Sequence, residues 1–207
     1  MRIGKAVALG ALVICTSAYA AQFNTIVDIG APMPTFENLP ATDGSAISSS
    51  AIDADVIVLV SLANHCPWVQ GMDRDLVTLV DQLDGKSVRV IGFAVNRRDD
   101  DRLPAMKEHA TKAGYNFTYV YDESQAIGRA LGATRTPEYF VFDKNRKLVY
   151  MGLIHDSPAR MTGTGPKHVN GEPTRFYVKD AVEATLKGEP PSPAETRAQG
   201  CTIEYAS

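Results

Sequence analysis

Continuous apolar runs mark the strands of this chain. Asp55 to Leu62 and Val88 to Val95 are apolar over most positions and rich in valine and isoleucine. A strand without polar alternation is typically buried on both faces, as in a sheet that helices cover on each side. Phe117 to Tyr121 is a shorter candidate. Glu138 to Phe142 and Lys147 to Ile154 flank a polar segment, a spacing that predicts a β-hairpin.

Amphipathic segments fill the intervals between these strands. From Pro67 to Leu83 the apolar residues recur at three- and four-residue spacing, which predicts a helix with one buried face. Three further helices are predicted at Pro104 to Ala113, Ser124 to Leu131 and Thr174 to Leu186. The last two are followed closely by a glycine, a residue that often ends a helix.

The order of these elements predicts the fold class. Strands and helices alternate first, and a hairpin and a helix come last, so we expect an α/β fold with a central mixed sheet and helices on both faces. Residues 29–50 are rich in proline and serine and predict an irregular N-terminal extension with a short hairpin at Asp43-Gly44.

The last segment, residues 188–207, is rich in proline at its start and carries Cys201. The composition of residues 188–200, rich in proline and charge, predicts a mobile or surface-lying tail that is able to carry Cys201 to the active end. In the opposing interpretation, Ile203 and Tyr205 hold the tail against the sheet elsewhere. Residues 21–207 are expected to form one domain that includes this tail.

The first twenty residues have the pattern of a signal peptide. Arg2 and Lys5 give a positive start, Ala6 to Cys15 is uncharged, and Ala18-Tyr19-Ala20 offers small residues at both positions that a signal peptidase reads. The uncharged run is too short to span a bilayer. We therefore predict cleavage after Ala20, a periplasmic or secreted location and no membrane span in the mature protein. A buried N-terminal helix is the alternative.

The charge of the chain gives no support for nucleic-acid binding. The formal net charge of −3 becomes −5 when the signal peptide removes two cations, Arg2 and Lys5, and no acid. A mildly acidic protein has no general attraction for phosphate backbones. Residues 97–102 alternate in sign over a short span and predict a solvated loop.

The cysteines carry the main chemical signal. Of the three, Cys15 lies in the predicted signal peptide, so Cys66 and Cys201 remain. Cys66 directly precedes Pro67 and the amphipathic helix. Unpaired N–H groups and the helix dipole stabilise an anion at such a position, so we expect a lowered thiol pKa and a reactive Cys66. The two cysteines form either a structural disulfide or a reactive thiol and its partner.

Four motifs extend this interpretation. They are Asn64-His65-Cys66-Pro67-Trp68-Val69, Asp122-Glu123-Ser124-Gln125, Thr136-Pro137 with Phe140-Val141-Phe142-Asp143, and Gly200-Cys201-Thr202-Ile203. Together they resemble the peroxiredoxin-like branch of the thioredoxin superfamily, whose members are often called redoxin or alkyl-hydroperoxide-reductase-like proteins. The resemblance implies a thioredoxin-like fold with Cys66 as the one active-site cysteine. It also implies that Thr136 and a cis Pro137 face that thiol.

The chain departs from two patterns of the superfamily. Thioredoxins carry a second cysteine three residues after the first, where this chain has Val69. Peroxiredoxins carry a hydroxyl residue three positions before the cysteine and a proline seven before it, where this chain has Ala63 and Leu59. Local release of a mixed disulfide is therefore impossible, and Cys201 is the only internal resolving candidate.

Three residues are auxiliary candidates. His65 adjoins the thiol and is a candidate base or electrostatic partner, Trp68 either flanks the thiol or packs in the helix, and Arg135 is a candidate positive charge. The pair His155-Asp156 follows the hairpin and is a candidate to approach the active end. Copper-handling members of the superfamily use two cysteines in one motif, so we predict no metal and no other cofactor.

We therefore expect a thiol-based oxidoreductase whose partners are thiol or disulfide proteins. Cys66 would exchange with a partner's disulfide or oxidised thiol, and Cys201 or an external thiol would release the product. Two alternatives stay open. The first is a weak thiol peroxidase that passes through a sulfenic acid at Cys66. The second is a non-catalytic binding or chaperone module with an inert disulfide.

Overall fold

The structure is organised around a five-stranded sheet with further short strands at its periphery. The computed structural model describes residues 21–207, so the predicted signal peptide lies outside the described residues. The strands are β1 (Leu39–Pro40), β2 (Ala46–Ile47), β3 (Val56–Leu62), β4 (Val88–Ala94), β5 (Thr118–Tyr121), β6 (Arg135–Thr136), β7 (Glu138–Phe142), β8 (Leu148–Gly152), β9 (Ala159–Thr162), β10 (Gly165–His168) and β11 (Cys201–Thr202). The helices are α1 (Pro67–Leu83), α2 (Leu103–Ala113), α3 (Ala126–Leu131) and α4 (Tyr177–Leu186), with 3-10 turns at Ser49–Ala51 and Asp99–Asp101.

The central sheet is mixed, as predicted, with the strand order β5-β4-β3-β7-β8. The pairs β3–β4 and β4–β5 are parallel, whereas β3–β7 and β7–β8 are antiparallel. Every residue of β3 is buried, because side chains that alternate in direction enter a core on each face. Val58 packs into one of these cores and Leu59 into the other.

Helices cover both faces of this sheet, which confirms the predicted thioredoxin-like architecture. The core on one face receives the apolar side chains of α1, α2 and α4. The core on the other face receives those of α3, the N-terminal segment and Ile203 of the tail. The predicted N-terminal hairpin is present as β1 and β2, with Leu39 opposite Ile47. Among residues 21–207, no helix is long and apolar enough to cross a membrane.

A hairpin of β9 and β10 was not predicted from the sequence. Its strands hold few apolar residues and no alternating pattern, so periodicity gives no signal there. The hairpin packs against α1 at Gly71, where an added Cβ would lie 2.7 Å from backbone atoms of Ala159 and Arg160. The close contact with α1 at Gly71 therefore positions this hairpin, because a glycine leaves room for the hairpin backbone. The pattern of apolar and polar residues in the hairpin does not predict its position.

The end of the tail packs against the domain, beyond the residues 188–200 for which a mobile or surface-lying segment is predicted. Strand β11 pairs antiparallel with β6, and Cys201 lies opposite Thr136. Ile203 is buried, and the Tyr205 hydroxyl donates to the Ala133 carbonyl at 2.7 Å. Apolar burial and backbone pairing therefore hold residues 201–205 in place, although the proline-rich segment before them predicts mobility.

Candidate active site

Cys66 lies at the N-terminal end of α1, as its sequence position predicts. It is the residue that precedes the first helical turn, and Pro67 is the first helical residue. The Cys66 N–H donates to the Ala63 carbonyl at 3.1 Å, and the Cys66 carbonyl accepts the Gln70 N–H at 3.0 Å. Orphan N–H groups of the first turn and the helix dipole favour negative charge at this end. Cys66 itself is fully buried, at 0% exposure.

Cys201 is bonded to Cys66 in a disulfide that closes 135 residues of chain. The Cα atoms are 5.9 Å apart, within the range that a disulfide spans. Cys201 is partly exposed, in contrast to Cys66. The interpretation in which Ile203 and Tyr205 hold the two thiols apart is therefore wrong, because both residues anchor the tail and the cysteines still meet.

The loop before β7 lies against the disulfide. The Thr136–Pro137 peptide bond is cis, as the resemblance implies, and the Thr136 carbonyl oxygen lies 3.2 Å from Cys66 Sγ. The Thr136 hydroxyl is buried and has no hydrogen-bond partner within residues 21–207. Arg135 Nη1 donates to Thr202 Oγ1 at 2.6 Å, so this side chain holds β11 against β6.

Two buried polar side chains that the sequence interpretation missed shape this loop. Ser61 Oγ donates to the Arg135 carbonyl at 2.7 Å and accepts the Glu138 N–H at 3.0 Å. One carboxylate oxygen of Glu138 accepts the N–H groups of Thr134 at 2.9 Å and Arg135 at 3.2 Å. A serine within an apolar strand and a glutamate directly after a proline are the sequence signals that mark them.

Burial raises the pKa of Glu138, and the two backbone hydrogen bonds oppose this shift without cancelling it. The loop beside the disulfide therefore carries a carboxyl group whose charged form costs free energy.

The segment predicted as a solvated loop is partly buried, which corrects the sequence interpretation. Asp101 has no exposed surface, and one of its oxygens lies 2.5 Å from His65 Nδ1. Its other oxygen accepts the His65 N–H at 3.3 Å. Asn64 adds a second link by donating to the Asp100 carbonyl at 2.8 Å. No sequence signal separates Asp101 from its exposed acidic neighbours, since the contact joins residues 36 positions apart.

The remaining candidates take different places. Trp68 lies in the first turn of α1 and is half-buried against the core. His155, a candidate to approach the active end, instead forms a hydrogen bond with Asp75 of α1, nine residues after Cys66. The structure thus brings together Cys66, Cys201, Thr136 and Pro137.

Comparisons with known proteins show structures with a similar fold. An uncharacterized conserved protein from Geobacillus kaustophilus is 28% identical, with a TM-score of 0.78 over 88% of this chain and 95% of that one. A hypothetical protein from Sinorhizobium meliloti 1021 is 25% identical, with a TM-score of 0.78 over 89% of this chain and 98% of that one.

A thiol:disulfide interchange protein of the thioredoxin family from Chlorobium tepidum has the same fold at 22% identity. Its TM-score is 0.51 over 59% of this chain and 84% of that one. No curated protein matches the sequence. The Redoxin family model matches residues 28–162, which is more than half of the chain. The chain therefore belongs to the Redoxin family.

Proposed function

We propose that this protein is an exported thiol–disulfide oxidoreductase that cycles between a Cys66–Cys201 dithiol and the corresponding disulfide. The observation that carries the proposal is the position of this disulfide, at the start of α1 and against the Thr136–Pro137 loop. A thioredoxin-like fold with a reactive thiol at a helix start suits exchange with partner disulfides. Export is proposed from the signal-like first twenty residues and suits a protein that keeps a disulfide.

The first half-reaction uses the Cys66 thiolate as nucleophile. It attacks one sulfur of a partner disulfide, forms a mixed disulfide and expels the partner's other sulfur as a thiolate. The Cys201 thiolate then attacks the Cys66 sulfur and releases the partner as a second thiolate. Two electrons pass to the partner, and the protein ends as the Cys66–Cys201 disulfide. Cys66 is fully buried in the oxidised protein, and β11 carries the Cys201 that is bonded to it, so we expect β11 to be displaced in the reduced protein when a partner reaches Cys66.

The second half-reaction restores the dithiol and begins at the other sulfur. Cys201 is the more exposed cysteine, so an external thiolate attacks its sulfur. Cys66 departs as the thiolate, which the start of α1 stabilises. A second external thiolate then displaces Cys201. His65, held by Asp101, is proposed as the electrostatic partner of the departing thiolate.

The peroxiredoxin-like branch is a second proposal about the same thiol. The asymmetric pair of one helix-start cysteine and one cysteine far along the chain suits a sulfenic acid at Cys66 that Cys201 resolves. Position 63, where peroxiredoxins have a hydroxyl group, is a fully buried alanine. We therefore expect peroxide to react more slowly than a protein disulfide.

Rapid mixing of the reduced protein with a protein disulfide, such as insulin, or with hydrogen peroxide tests these proposals. Trp68, the single tryptophan, lies two residues from Cys66 and reports its oxidation by fluorescence. We expect faster oxidation by the protein disulfide, loss of the signal in Cys66→Ser, and a trapped mixed disulfide in Cys201→Ser. Faster oxidation by peroxide would instead favour the peroxidase.

Peptide mapping separates an active disulfide from an inert one. Oxidised protein treated with glutathione and then acid-quenched is expected to carry glutathione on Cys201. A disulfide that resists glutathione in the folded protein, together with a reduced protein that oxidises no partner, would contradict the oxidoreductase and support the non-catalytic alternative.

A further inference from the structure

Three potential metal ligands converge on the side of α1 that faces the β9–β10 hairpin. They are Asp75 of α1, His155 after β8 and His168 at the end of β10, and one ligand atom of each lies within 4.8 Å of the other two. We propose that these residues bind a divalent transition-metal ion, for which Zn²⁺ is the test case. The site goes beyond the proposed redox function, and no cysteine belongs to it.

The pair of Asp75 and His155 already has the spacing of two ligands. Asp75 Oδ2 and His155 Nε2 are 3.1 Å apart. Two ligand atoms about 2.1 Å from a tetrahedral Zn²⁺ lie about 3.4 Å from each other. His155 is 1% exposed, and its other ring nitrogen, Nδ1, has no hydrogen-bond partner within residues 21–207. An ion bound at Nε2 would not satisfy Nδ1, because the two nitrogens of one imidazole point in different directions, so the case for His155 depends on Nε2 and its distance to Asp75.

His168 is oriented as a metal-bound histidine usually is. Its Nδ1 lies 2.6 Å from the Ser157 carbonyl oxygen. Because a carbonyl oxygen only accepts, Nδ1 carries the proton and Nε2 keeps its lone pair when the ring is neutral. Donation from the second ring nitrogen to a backbone carbonyl fixes the tautomer and orientation of most metal-ligating histidines.

The segment that supplies both histidines is held firmly. Ser157 Oγ donates to the Gly171 carbonyl at 2.6 Å and accepts the Asn170 N–H at 2.9 Å. Thr174 donates to the Asp156 carboxylate through its hydroxyl at 2.6 Å. Gly71, one helical turn before Asp75, permits the close approach of the hairpin to α1. The ligand side chains therefore project from positioned backbone, which lowers the entropic cost of binding an ion.

The composition of the site favours Zn²⁺ over Mg²⁺ or Ca²⁺. Two imidazoles and one carboxylate form a borderline-soft donor set, whereas Mg²⁺ and Ca²⁺ prefer oxygen ligands only. A cavity of about 50 Å³, which Lys179 also lines, adjoins Asp75 and His155 and is large enough for a water molecule. The other His–Asp–Asp cluster, at His65, is a weaker candidate because Arg98 already forms an ion pair with the Asp100 carboxylate.

Calorimetric titration of the oxidised, metal-depleted protein with Zn²⁺ tests the site. Oxidation removes both thiols as competing ligands, and failure of the redox proposal leaves this measurement unaffected. We expect one saturable site per chain and a higher melting temperature with Zn²⁺. Substitution with Co²⁺ should give the visible absorption of a four-coordinate ion, a readout that does not depend on activity.

Variants separate a built site from adventitious binding. His168→Asn keeps a side-chain amide that can donate to the Ser157 carbonyl but removes the Nε2 ligand, and it leaves the Asp75–His155 pair intact. We expect it to weaken binding at least about tenfold, the lower bound seen even for residues that only support a ligand. His109→Asn is the matched control. It removes a His–Asp pair between α2 and Asp73, which lies on α1 as Asp75 does but outside the proposed site. No saturable binding, or equal affinity in the His168 variant and the parent, would overturn the proposal.

Discussion

At the residue scale, the two sulfurs of the disulfide have different surroundings. Cys66 is fully buried at a helix start, whereas Cys201 is partly exposed on a two-residue strand. This asymmetry assigns different roles to the two cysteines in the proposed cycle. Ionisable side chains also shape the site through their contacts. His65, next to Cys66, pairs with Asp101. Glu138, next to Pro137, accepts backbone N–H groups of the loop before β7.

Asp101→Asn is expected to destabilise the fold by about 1.5–3 kcal/mol, because it removes a buried charged acceptor from His65. It should also slow alkylation of Cys66 in the reduced protein at neutral pH, since His65 loses the carboxylate that orients it. Urea denaturation and iodoacetamide kinetics measure the two effects. Asp100→Asn, at the exposed neighbour, is the control and should cost less than about 1 kcal/mol. Equal effects of both changes would contradict the role given to Asp101.

Glu138→Gln is expected to stabilise the protein at neutral pH while keeping an oxygen that accepts the Thr134 and Arg135 N–H groups. Burial raises the pKa of Glu138 in the folded state, so the folded protein binds this proton more tightly than the unfolded chain does. The wild type therefore loses stability as the pH rises from 4.5, the ordinary pKa of a glutamate, to the raised pKa of the folded state, and the loss persists above it.

Urea denaturation of both proteins at several pH values measures this difference. The advantage of the glutamine variant should grow as the pH rises through that window and then level off. Glu37→Gln, at an exposed position, is the control and should show no such trend. A variant less stable than the wild type at every pH would show that the carboxylate charge is favourable in this loop.

At the element scale, the pairing of β11 with β6 covers the buried sulfur. Gly200 precedes β11, and a Cβ at this position would collide with the Thr136 carbonyl. Gly200→Ala is therefore expected to displace β11 and to speed reduction of the disulfide by dithiothreitol, because the Cys66 sulfur becomes a second point of attack beside the partly exposed Cys201. Each loss of about 1.4 kcal/mol in local stability raises the open population tenfold.

The control for this change is Gly163→Ala, where no atom lies within 4 Å of the added Cβ. Reduction rates followed by Trp68 fluorescence compare the two variants with the parent. If the Gly200→Ala protein is reduced at the parental rate, β11 does not limit the access of dithiothreitol to the Cys66 sulfur.

At the scale of the whole molecule, the disulfide joins the end of the chain to the centre of the fold. It closes 135 residues, for which the chain-entropy model gives about 5 kcal/mol of stabilisation as an upper value. We expect the reduced protein to unfold at lower urea concentration, with a loss of about 2–5 kcal/mol. Denaturation with and without dithiothreitol measures it, and Cys66→Ser/Cys201→Ser, insensitive to the reagent, is the control. Equal stability of the two redox states would contradict this expectation.

Much of the fold follows from the sequence because its elements carry strong local patterns. Helix α1 and strand β7 have the predicted bounds, since an amphipathic period and an apolar run are local properties. The sequence does not predict the β9–β10 hairpin or β11. Their pairing depends on tertiary contacts, which leave no periodic pattern of apolar residues along the chain. Within the site, the sequence identifies Cys66 from its place between a strand and a helix, but it predicts a solvated position for Asp101, which is buried.

The sequence by itself determined the order of strands and helices, the mixed sheet and the cysteine at the helix start. These depend on hydrophobic periodicity and on the backbone groups that every helix leaves unpaired. Only the tertiary structure decided that Cys201 meets Cys66, that Asp101 is buried against His65, and that His155 and His168 converge on Asp75. Each of these contacts joins residues distant along the chain, and such contacts are set by the packing of whole elements.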